Sequence, residues 1–178
     1  GKRIVFCSDR AGSSDIWSMD PDGQNLRRHN FEGSNEALAS ISPDSKWAYG
    51  QTNQWGRANL FKLSLSGDQG NELVQLTSHP MEIQYSPCVS PDGSRLAFCT
   101  GASIGTWRKL EYSGSNSGEI VLSSNAPLPT DIKKLTQNEV HDSFPTFMPN
   151  GQILFVSNRS GWPNIWRMKA DGSGATQL

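Results

Sequence analysis

The side chains best suited to chemistry in this sequence are a histidine and two carboxylates that occupy matching positions of a repeated phrase. His141 and Asp142 precede one copy of the phrase, and Glu36 occupies the position of Asp142 before an earlier copy. One imidazole and two carboxylates could hold a cation. Solvated polar side chains give the same pattern without such a role. Because the two carboxylates come from separate copies and only one histidine joins them, we predict no metal site and no cofactor.

No local motif for catalysis accompanies these residues. The sequence contains no G-x-S-x-G nucleophile turn, no H-E-x-x-H zinc motif and no glycine-rich phosphate loop. The histidines His29, His79 and His141 are too scattered to indicate a triad. His29 replaces the leucine of a repeated Leu-Thr pair, which predicts a solvated position on an outer strand. We name no catalytic residue, and the sequence favours a protein that is not itself an enzyme.

The repeated phrase that positions these residues is a turn sequence. It reads ISPDSKWAYG at 41–50, VSPDGSRLAFCT at 89–100 and FMPNGQILFVS at 147–157. Proline followed by Asp or Asn and then Gly favours a tight turn, because proline fixes one backbone angle and glycine adopts positive φ. The short apolar runs that flank each turn predict the two strands of a hairpin.

Two further strands follow each hairpin. The third strand of a unit begins at Asp15, Asn59, Glu119 or Asn164, and the fourth is short and ends in or near a Leu-Thr pair. Four antiparallel strands in every 40 to 50 residues or so are typical of the blades of a β-propeller, whereas a β-sandwich has no reason to repeat its turns. We predict an all-β propeller region of about four blades within a single domain, 1–178. Its units are 1–31, which lacks a first strand, 32–78, 79–137 and 138–178.

These phrases resemble the TolB-type β-propeller repeat, a WD40-like repeat also known as the PD repeat. The resemblance rests on Ser-Pro-Asp-Gly, an apolar run such as RLAF or RIVF, then S-(D/N)-R, then (D/N)-I-W-x-M, then Leu-Thr, and it covers nearly the whole chain. It implies a ring of about six blades, of which this chain supplies about four. Because an open arc exposes two apolar faces, we expect a second copy, a complementing chain or a longer polypeptide to complete the ring.

The same resemblance implies two classes of function. The first is a non-catalytic scaffold that binds a protein or peptide partner at the face formed by its loops, in the periplasm or outside the cell. The alternative is the propeller domain of a larger enzyme, which either gates a serine peptidase or carries the site of a carbohydrate-active lyase or hydrolase. The lack of a catalytic motif favours the scaffold.

Candidate partner-binding residues lie on the loops that a propeller places on one face. Phe98 and Glu119 are 21 positions apart, against 9 between Phe6 and Asp15, so one of these loops carries an insertion. Trp, Tyr and Arg commonly anchor interfaces, although a tolerated surface insertion can have the same composition. The candidates are His79, Trp107, Arg108, Tyr112, His141, Asp142 and Trp162.

Residues that recur in several units are expected to be structural. Arg10 and Arg159 follow Ser-Asp and Ser-Asn, and Trp17 and Trp166 follow the same isoleucine. We predict that the arginines link neighbouring blades through carboxylates or backbone carbonyls, and that the tryptophans pack within the blades.

Composition excludes some partners and indicates the state of the cysteines. A net charge of −1 over 178 residues gives no general attraction to nucleic acid, and no apolar stretch approaches the roughly 18 residues of a membrane span. Cys7 and Cys99 occupy equivalent positions of separate units, which lie far apart in a ring, so a bridge between them is not expected. We predict that these two and Cys88 are small buried thiols.

Overall fold

A computed structural model describes residues 2–31, 33–66, 71–79, 82–101 and 117–178. These residues form 15 β-strands, and no helix occurs among them. These strands confirm the all-β prediction for the described residues. The insertion residues Trp107, Arg108 and Tyr112 lie outside the described residues.

The strands form four antiparallel sheets that follow one another along the chain, one of three strands and three of four. The first sheet contains β1 (Ile4–Ser8), β2 (Asp15–Met19) and β3 (Arg27–Arg28). The second contains β4 (Glu36–Ile41), β5 (Trp47–Thr52), β6 (Asn59–Ser64) and β7 (Val74–Gln75). The third contains β8 (Ile83–Val89), β9 (Arg95–Gly101), β10 (Glu119–Ser124) and β11 (Lys133–Lys134). The fourth contains β12 (Asp142–Phe147), β13 (Ile153–Ser157), β14 (Asn164–Met168) and β15 (Thr176–Gln177).

The first strands of the three four-stranded sheets, β4, β8 and β12, lie next to one another, with β8 in contact with both of the others. We call them the inner strands. Each contains a β-bulge, located between Leu38 and Ser40, Tyr85 and Cys88, or Ser143 and Thr146. Successive four-stranded sheets arranged around converging inner strands are blades of a propeller, and the arrangement is consistent with part of a larger ring.

The turns between the first two strands of the four-stranded sheets have the predicted chemistry. The backbone N–H of Gly93 donates to the carbonyl of Ser90 at 2.9 Å, and Gly93 has a φ of +76°. The Asp92 carboxylate accepts hydrogen bonds from the Ser90 hydroxyl and from Ser94, and these bonds lower the pKa of Asp92 to about 2. Ser45 holds the glycine position of the second unit at a φ of +59°. This backbone conformation costs a side chain some strain, which explains the preference for glycine in the other copies.

Three apolar layers hold the sheets together, one at each junction between consecutive sheets. We call the side of a sheet that meets the next sheet its forward face and the opposite side its backward face. At the first junction Ile16 on the forward face packs against Phe61 and Leu63 on the backward face of the second sheet. The second and third junctions are built in the same way, around Leu60 and Phe98 and around Ile120 and Phe155.

The two end faces of the stack are uncovered. The forward-face isoleucine Ile165 of the fourth sheet is 56% exposed, whereas its equivalents Ile16 and Ile120 are 0% exposed. On the backward face of the first sheet, Ile4 is 42% exposed against 0% for the equivalent Ile153. Covering one such side chain contributes about 1.5–3 kcal/mol. Each end face is therefore an apolar surface with the composition of an internal junction.

Candidate functional site

One side of the molecule carries the connections from the second to the third strand of each blade and the connections from each sheet into the next inner strand. We call this side of the molecule the loop face. A hydrogen bond recurs there. The side-chain oxygens of Asn30, Thr77 and Thr136 accept the backbone N–H of Ile16, Leu60 and Ile120 at 2.8, 2.9 and 2.9 Å, respectively. The fourth strands are only two residues long, so these side chains replace a missing strand-to-strand bond. The recurrent Leu-Thr pair thus has a structural role.

A buried polar cluster joins the first sheet to the second. Asp15 is 0% exposed and forms an ion pair with Arg28 at 2.7 Å. The amide of Asn30 donates both to Asp15 at 3.2 Å and to Glu36 of β4 at 2.8 Å. The hydroxyl of Thr52 donates to the other oxygen of Glu36 at 2.9 Å. Both carboxylates therefore have structural partners.

A second cluster surrounds Asp142 at the junction between the third and fourth sheets. Asp142 is 0% exposed and accepts two hydrogen bonds from the Nη2 of Arg159, at 3.0 and 2.9 Å. Asn138 donates to the same carboxylate at 2.8 Å, and its backbone N–H donates to Glu119 at 3.1 Å. Burial raises the pKa of Glu119, while the Thr136 hydroxyl and the Asn138 N–H oppose that rise by donating to it.

The structure corrects the expectation that the arginines link neighbouring blades. Arg159 and Asp142 belong to the same sheet, since Asp142 begins β12 and Arg159 follows β13. The register explains the contact, because Asp142 is paired directly with Ser157, two residues before the arginine. In the described residues, Asn30 and Asn138 are among the side chains that link neighbouring sheets, and no sequence pattern singled them out.

His141 is the most distinctive of the candidate residues. It is 4% exposed, and its Nδ1 accepts the backbone N–H of Gly118 at 3.0 Å. Its own backbone N–H donates to the side chain of Asn158 at 2.8 Å. Burial lowers the pKa of His141, while the nearby Asp142 carboxylate acts in the opposite direction. Gly118 must be a glycine here, because a Cβ would lie 2.8 Å from the imidazole Cε1 and 2.7 Å from the Tyr85 hydroxyl.

The remaining candidates occupy different settings. His79 is half-buried between the second and third sheets, where its Nδ1 accepts the backbone N–H of Glu82 at 2.9 Å. Trp162, in the turn between β13 and β14, is 64% exposed. The structure thus brings His141, Asp142 and Trp162 to the fourth sheet and leaves His79 at an earlier junction.

The structure gives no support to a cation bound by His141, Asp142 and Glu36. Glu36 and Asp142 are held by the separate clusters described above. Across residues 2–101 and 117–178, excluding the short gaps given earlier, no group of three His, Cys, Asp or Glu side chains could hold a metal ion.

Sequence reasoning did not anticipate the groove between the inner strands. It has a volume of about 440 Å³ and is bordered by the bulges of β4, β8 and β12. Its lining is neutral rather than charged, with Leu38, Pro87 and Phe144 among its side chains. Phe144 adopts a φ of +53° and remains 42% exposed, which is unusual for a bulky residue. The bulge that produces this geometry depends on pairing between strands, so no local sequence signal reveals it.

The cysteines contribute to the junctions as free thiols. Cys99 is buried, and Cys7 and Cys88 are half-buried. The Cys7 sulfur accepts the backbone N–H of Leu38 in the next sheet at 3.1 Å. The Cys88 sulfur accepts the N–H of Phe147 at 3.4 Å. Burial raises the pKa of all three thiols.

No protein-family model matches the chain. Among curated proteins, the Tol-Pal system protein TolB of Bordetella pertussis is 27% identical over 152 residues, covering 67% of this chain and 34% of that protein. A protein TolB homolog of Chlorobium luteolum is 26% identical over 178 residues, covering 99% of this chain and 36% of that protein. The chain therefore spans about a third of the length of these curated relatives.

Solved structures with similar folds include both TolB proteins and enzymes. A putative TolB from Agrobacterium tumefaciens aligns with a TM-score of 0.74 at 18% identity, over 99% of this chain and 61% of that one. An oligogalacturonate lyase from Vibrio parahaemolyticus aligns with a TM-score of 0.71 at 16% identity, over 99% and 48%. A puromycin hydrolase aligns with a TM-score of 0.69 at 18% identity, over 99% and 28%.

The solved structures are so different in sequence that they show only the likeness of the fold. The curated TolB relatives add a likeness in sequence. No helix in the described part of the chain is long and apolar enough to cross a bilayer. The repeats, the four consecutive sheets and these likenesses agree, and the chain is a TolB-like β-propeller.

Proposed function

We propose that this propeller is a non-catalytic scaffold that binds a protein or peptide partner at its loop face, in the periplasm or outside the cell. The curated relative named a Tol-Pal system protein supports a role within a system of proteins, and the compartment is proposed from the resemblance to TolB-type repeats. Because the chain spans about a third of those proteins, binding is proposed for the surface that the structure describes.

The observation that carries the proposal is the exposure of Trp162. It lies in the turn between β13 and β14, on the loop face of the sheet that also carries His141 and Asp142, and 64% of its surface is exposed. Tryptophan is the residue type that most often anchors a protein interface, because it buries a large rigid surface at a low cost in entropy.

Three carboxylates of the loop face are not available as general acids or bases. A general acid or base needs an open side to reach a substrate. Asp15, Glu36 and Asp142 are buried, and each is held by at least two side-chain partners. These groups stabilise the loop face and leave binding to the exposed apolar residues.

The alternative is that the chain belongs to a larger enzyme. The fold likeness to an oligogalacturonate lyase and to a puromycin hydrolase favours this second candidate. It is tested by incubating the chain with oligogalacturonate and with a peptide substrate. Cleavage of either one would favour the enzyme, whereas the scaffold predicts binding without turnover.

The scaffold is tested by selecting ligands from a phage-displayed library of short peptides and measuring their affinities by fluorescence polarisation. Trp162→Ala should weaken a selected peptide at least tenfold, as expected for an interface hot spot worth about 1.4 kcal/mol or more. The matched control is Leu26→Ala, because Leu26 is 46% exposed and lies between β2 and β3, on the side opposite the loop face. If no peptide is selected, or if both variants weaken binding equally, the proposed function is wrong.

A further inference from the structure

The turn between β12 and β13 contains the only Asn-Gly pair in the sequence, Asn150–Gly151. The side-chain oxygen of Asn150 accepts the backbone N–H of Gln152 at 3.1 Å. Such a bond to the backbone two residues further on closes a local turn, which folds the side-chain amide over the intervening peptide group. The amide carbon of Asn150 is therefore held beside the backbone nitrogen of Gly151.

The surroundings of Gly151 leave room for a reaction at that nitrogen. Apart from its two chain neighbours, no heavy atom of the described residues lies within 4 Å of the place that a Cβ on Gly151 would take. The glycine of the next hairpin, Gly172, is crowded by comparison, since a Cβ there would lie 2.8 Å from the carbonyl oxygen of Leu135. The nitrogen of Gly151 is therefore shielded neither by a side chain of its own nor by another strand.

The exposure of Asn150 is a property of the turn and not of the end of the stack. Asn150 is exposed, and so are Asp44 and Asp92, which occupy the same turn position in the second and third sheets. The forward faces of those two sheets are covered by the sheets that follow them, yet their turns remain in solvent. Water therefore reaches Asn150 whatever lies beyond the fourth sheet.

The three turns differ in the chemistry of that side chain. The carboxylates of Asp44 and Asp92 each accept a serine hydroxyl, which lowers the pKa of both groups. Both are therefore ionised at pH 7, and an ionised carboxylate is a poor electrophile because a nucleophile adds further negative charge to it. The neutral amide of Asn150 has no such protection. Of the three turns, the one between β12 and β13 is the reactive one.

We propose that Asn150 is a modification site, at which the folded protein loses ammonia without an enzyme and gains a carboxylate. The nitrogen of Gly151 attacks the amide carbon of Asn150, and the new C–N bond closes a succinimide ring. The amide nitrogen of Asn150 leaves as ammonia with the proton of the Gly151 N–H. Water then opens the ring, at the side-chain carbonyl to give aspartate or at the backbone carbonyl to give isoaspartate. This inference does not depend on the proposed function.

The two products should affect the hairpin differently. Aspartate is the residue of the second and third turns, where the Oδ1 of Asp44 and of Asp92 accepts the N–H two residues further on at 3.1 Å, as the Oδ1 of Asn150 does. Isoaspartate instead adds a methylene to the main chain, which disturbs the 2.7 Å bond from the N–H of Met148 to the carbonyl of Gln152. We expect only the isoaspartyl form to lose stability.

The test follows the whole folded chain in mildly alkaline buffer by peptide mapping and mass spectrometry. We expect the peptide with Asn150 to gain the mass difference between NH₂ and OH before a peptide with Asn164, which precedes the bulky Ile165. Protein isoaspartyl methyltransferase should label part of the product. If this peptide keeps its mass in the folded chain, or changes no earlier than the Asn164 peptide, the proposal is wrong.

A variant of the glycine gives an independent test. Gly151→Ser is compatible with the turn, because Ser45 holds the same position of the second turn at a φ of +59°. The added side chain crowds the attacking nitrogen, so the modification should slow roughly tenfold or more, which corresponds to about 1.4 kcal/mol in the barrier. If that variant fails to fold, Asn150→Gln makes the ring harder to close and should slow the loss of ammonia by a similar factor. An unchanged rate in either folded variant contradicts the proposal.

Discussion

The first and fourth sheets surround an arginine with almost the same residues, yet only one of the two arginines meets a carboxylate. The Nε of Arg159 donates to Ser157 at 2.8 Å, and its guanidinium lies 5.1 and 4.9 Å from the ring centres of Phe155 and Trp166. Its Nη2 also binds both oxygens of Asp142.

Arg10 reproduces the local half of this arrangement. Its Nε donates to Ser8 at 2.9 Å, and its guanidinium lies 5.4 and 5.1 Å from the ring centres of Phe6 and Trp17. No ion pair of Arg10 occurs among the described residues. Asp142 lies on inner strand β12, which pairs with β13. The strand equivalent to β13 in the first sheet is β1, which is an edge strand with no inner strand paired to it. The comparison shows that the hairpin alone builds the aromatic stack, while the inner strand delivers the ion pair.

Of the variants that test this comparison, Asp142→Ala is expected to lower the free energy of unfolding most. The substitution leaves the Arg159 guanidinium, which is 24% exposed, without its buried partner. Breaking a buried pair in this way lowers the free energy of unfolding by about 3 kcal/mol. Urea unfolding followed by circular dichroism measures the change. A loss below about 1 kcal/mol would show that the pair is dispensable and that the two arginines are equivalent.

The two arginines themselves give a matched pair of variants. Arg159→Gln removes the ion pair and the aromatic contacts together and should cost about 2 kcal/mol. Arg10→Gln removes only the exposed aromatic contacts and the bond to Ser8, so about 0.5 kcal/mol is expected. Both values come from the same urea titration. Equal losses would contradict the view that the inner strand supplies most of the stabilisation.

His29 sharpens the comparison through its pH dependence. It is 0% exposed at the place taken by Leu135 in the third sheet, and burial, aided by Arg27 and Arg3, lowers the pKa of His29 to about 4. The unfolded chain therefore binds an extra proton between pH 6.5 and about 4, and stability present above pH 6.5 is lost as the pH falls through this range. We expect His29→Leu to remove about 2 kcal/mol of the difference between unfolding free energies at pH 7 and pH 4.5. If this difference is the same in the variant, residues other than His29 cause the loss of stability in acid.

The smallest expected effect is the addition of the missing strand as a peptide. A synthetic peptide with the sequence of 140–150 contains the inner-strand aspartate and should pair with the edge of β1, with a dissociation constant of about 1 mM. The signature is a shift of the Arg10 Nε–H resonance in NMR. The control peptide, with the aspartate replaced by asparagine, should bind at least threefold more weakly. Equal binding of the two peptides would mean that Arg10 does not require an acid opposite Ser8.

Much of the local architecture could be predicted from the sequence. The expected starts of the third strands, Asp15, Asn59, Glu119 and Asn164, are the first residues of β2, β6, β10 and β14. The turns also follow, because Pro-Asp-Gly acts within four residues and needs no partner. Two expectations about single side chains failed. His29 is buried rather than solvated, and Arg159 pairs within its own sheet.

Both failures have the same physical cause. A side chain on a fourth strand is buried or solvated according to whether another sheet covers that face, and His29 lies where the second sheet packs on the first. The residues of the candidate site also fall into those that the sequence indicated and those that it did not. The sequence indicated His141, Asp142 and Trp162 but not Gly118 or Asn138, whose roles arise from contacts between sheets.

By itself, the sequence determined the period of the repeat, the strands, the turns and the resemblance to TolB-type propellers, because these depend on interactions between residues close together in the chain. Only the tertiary structure decided which carboxylates are held in ion pairs and which histidines are buried. Those properties depend on strand register and on the stacking of one sheet on the next, which bring together residues from separate repeats.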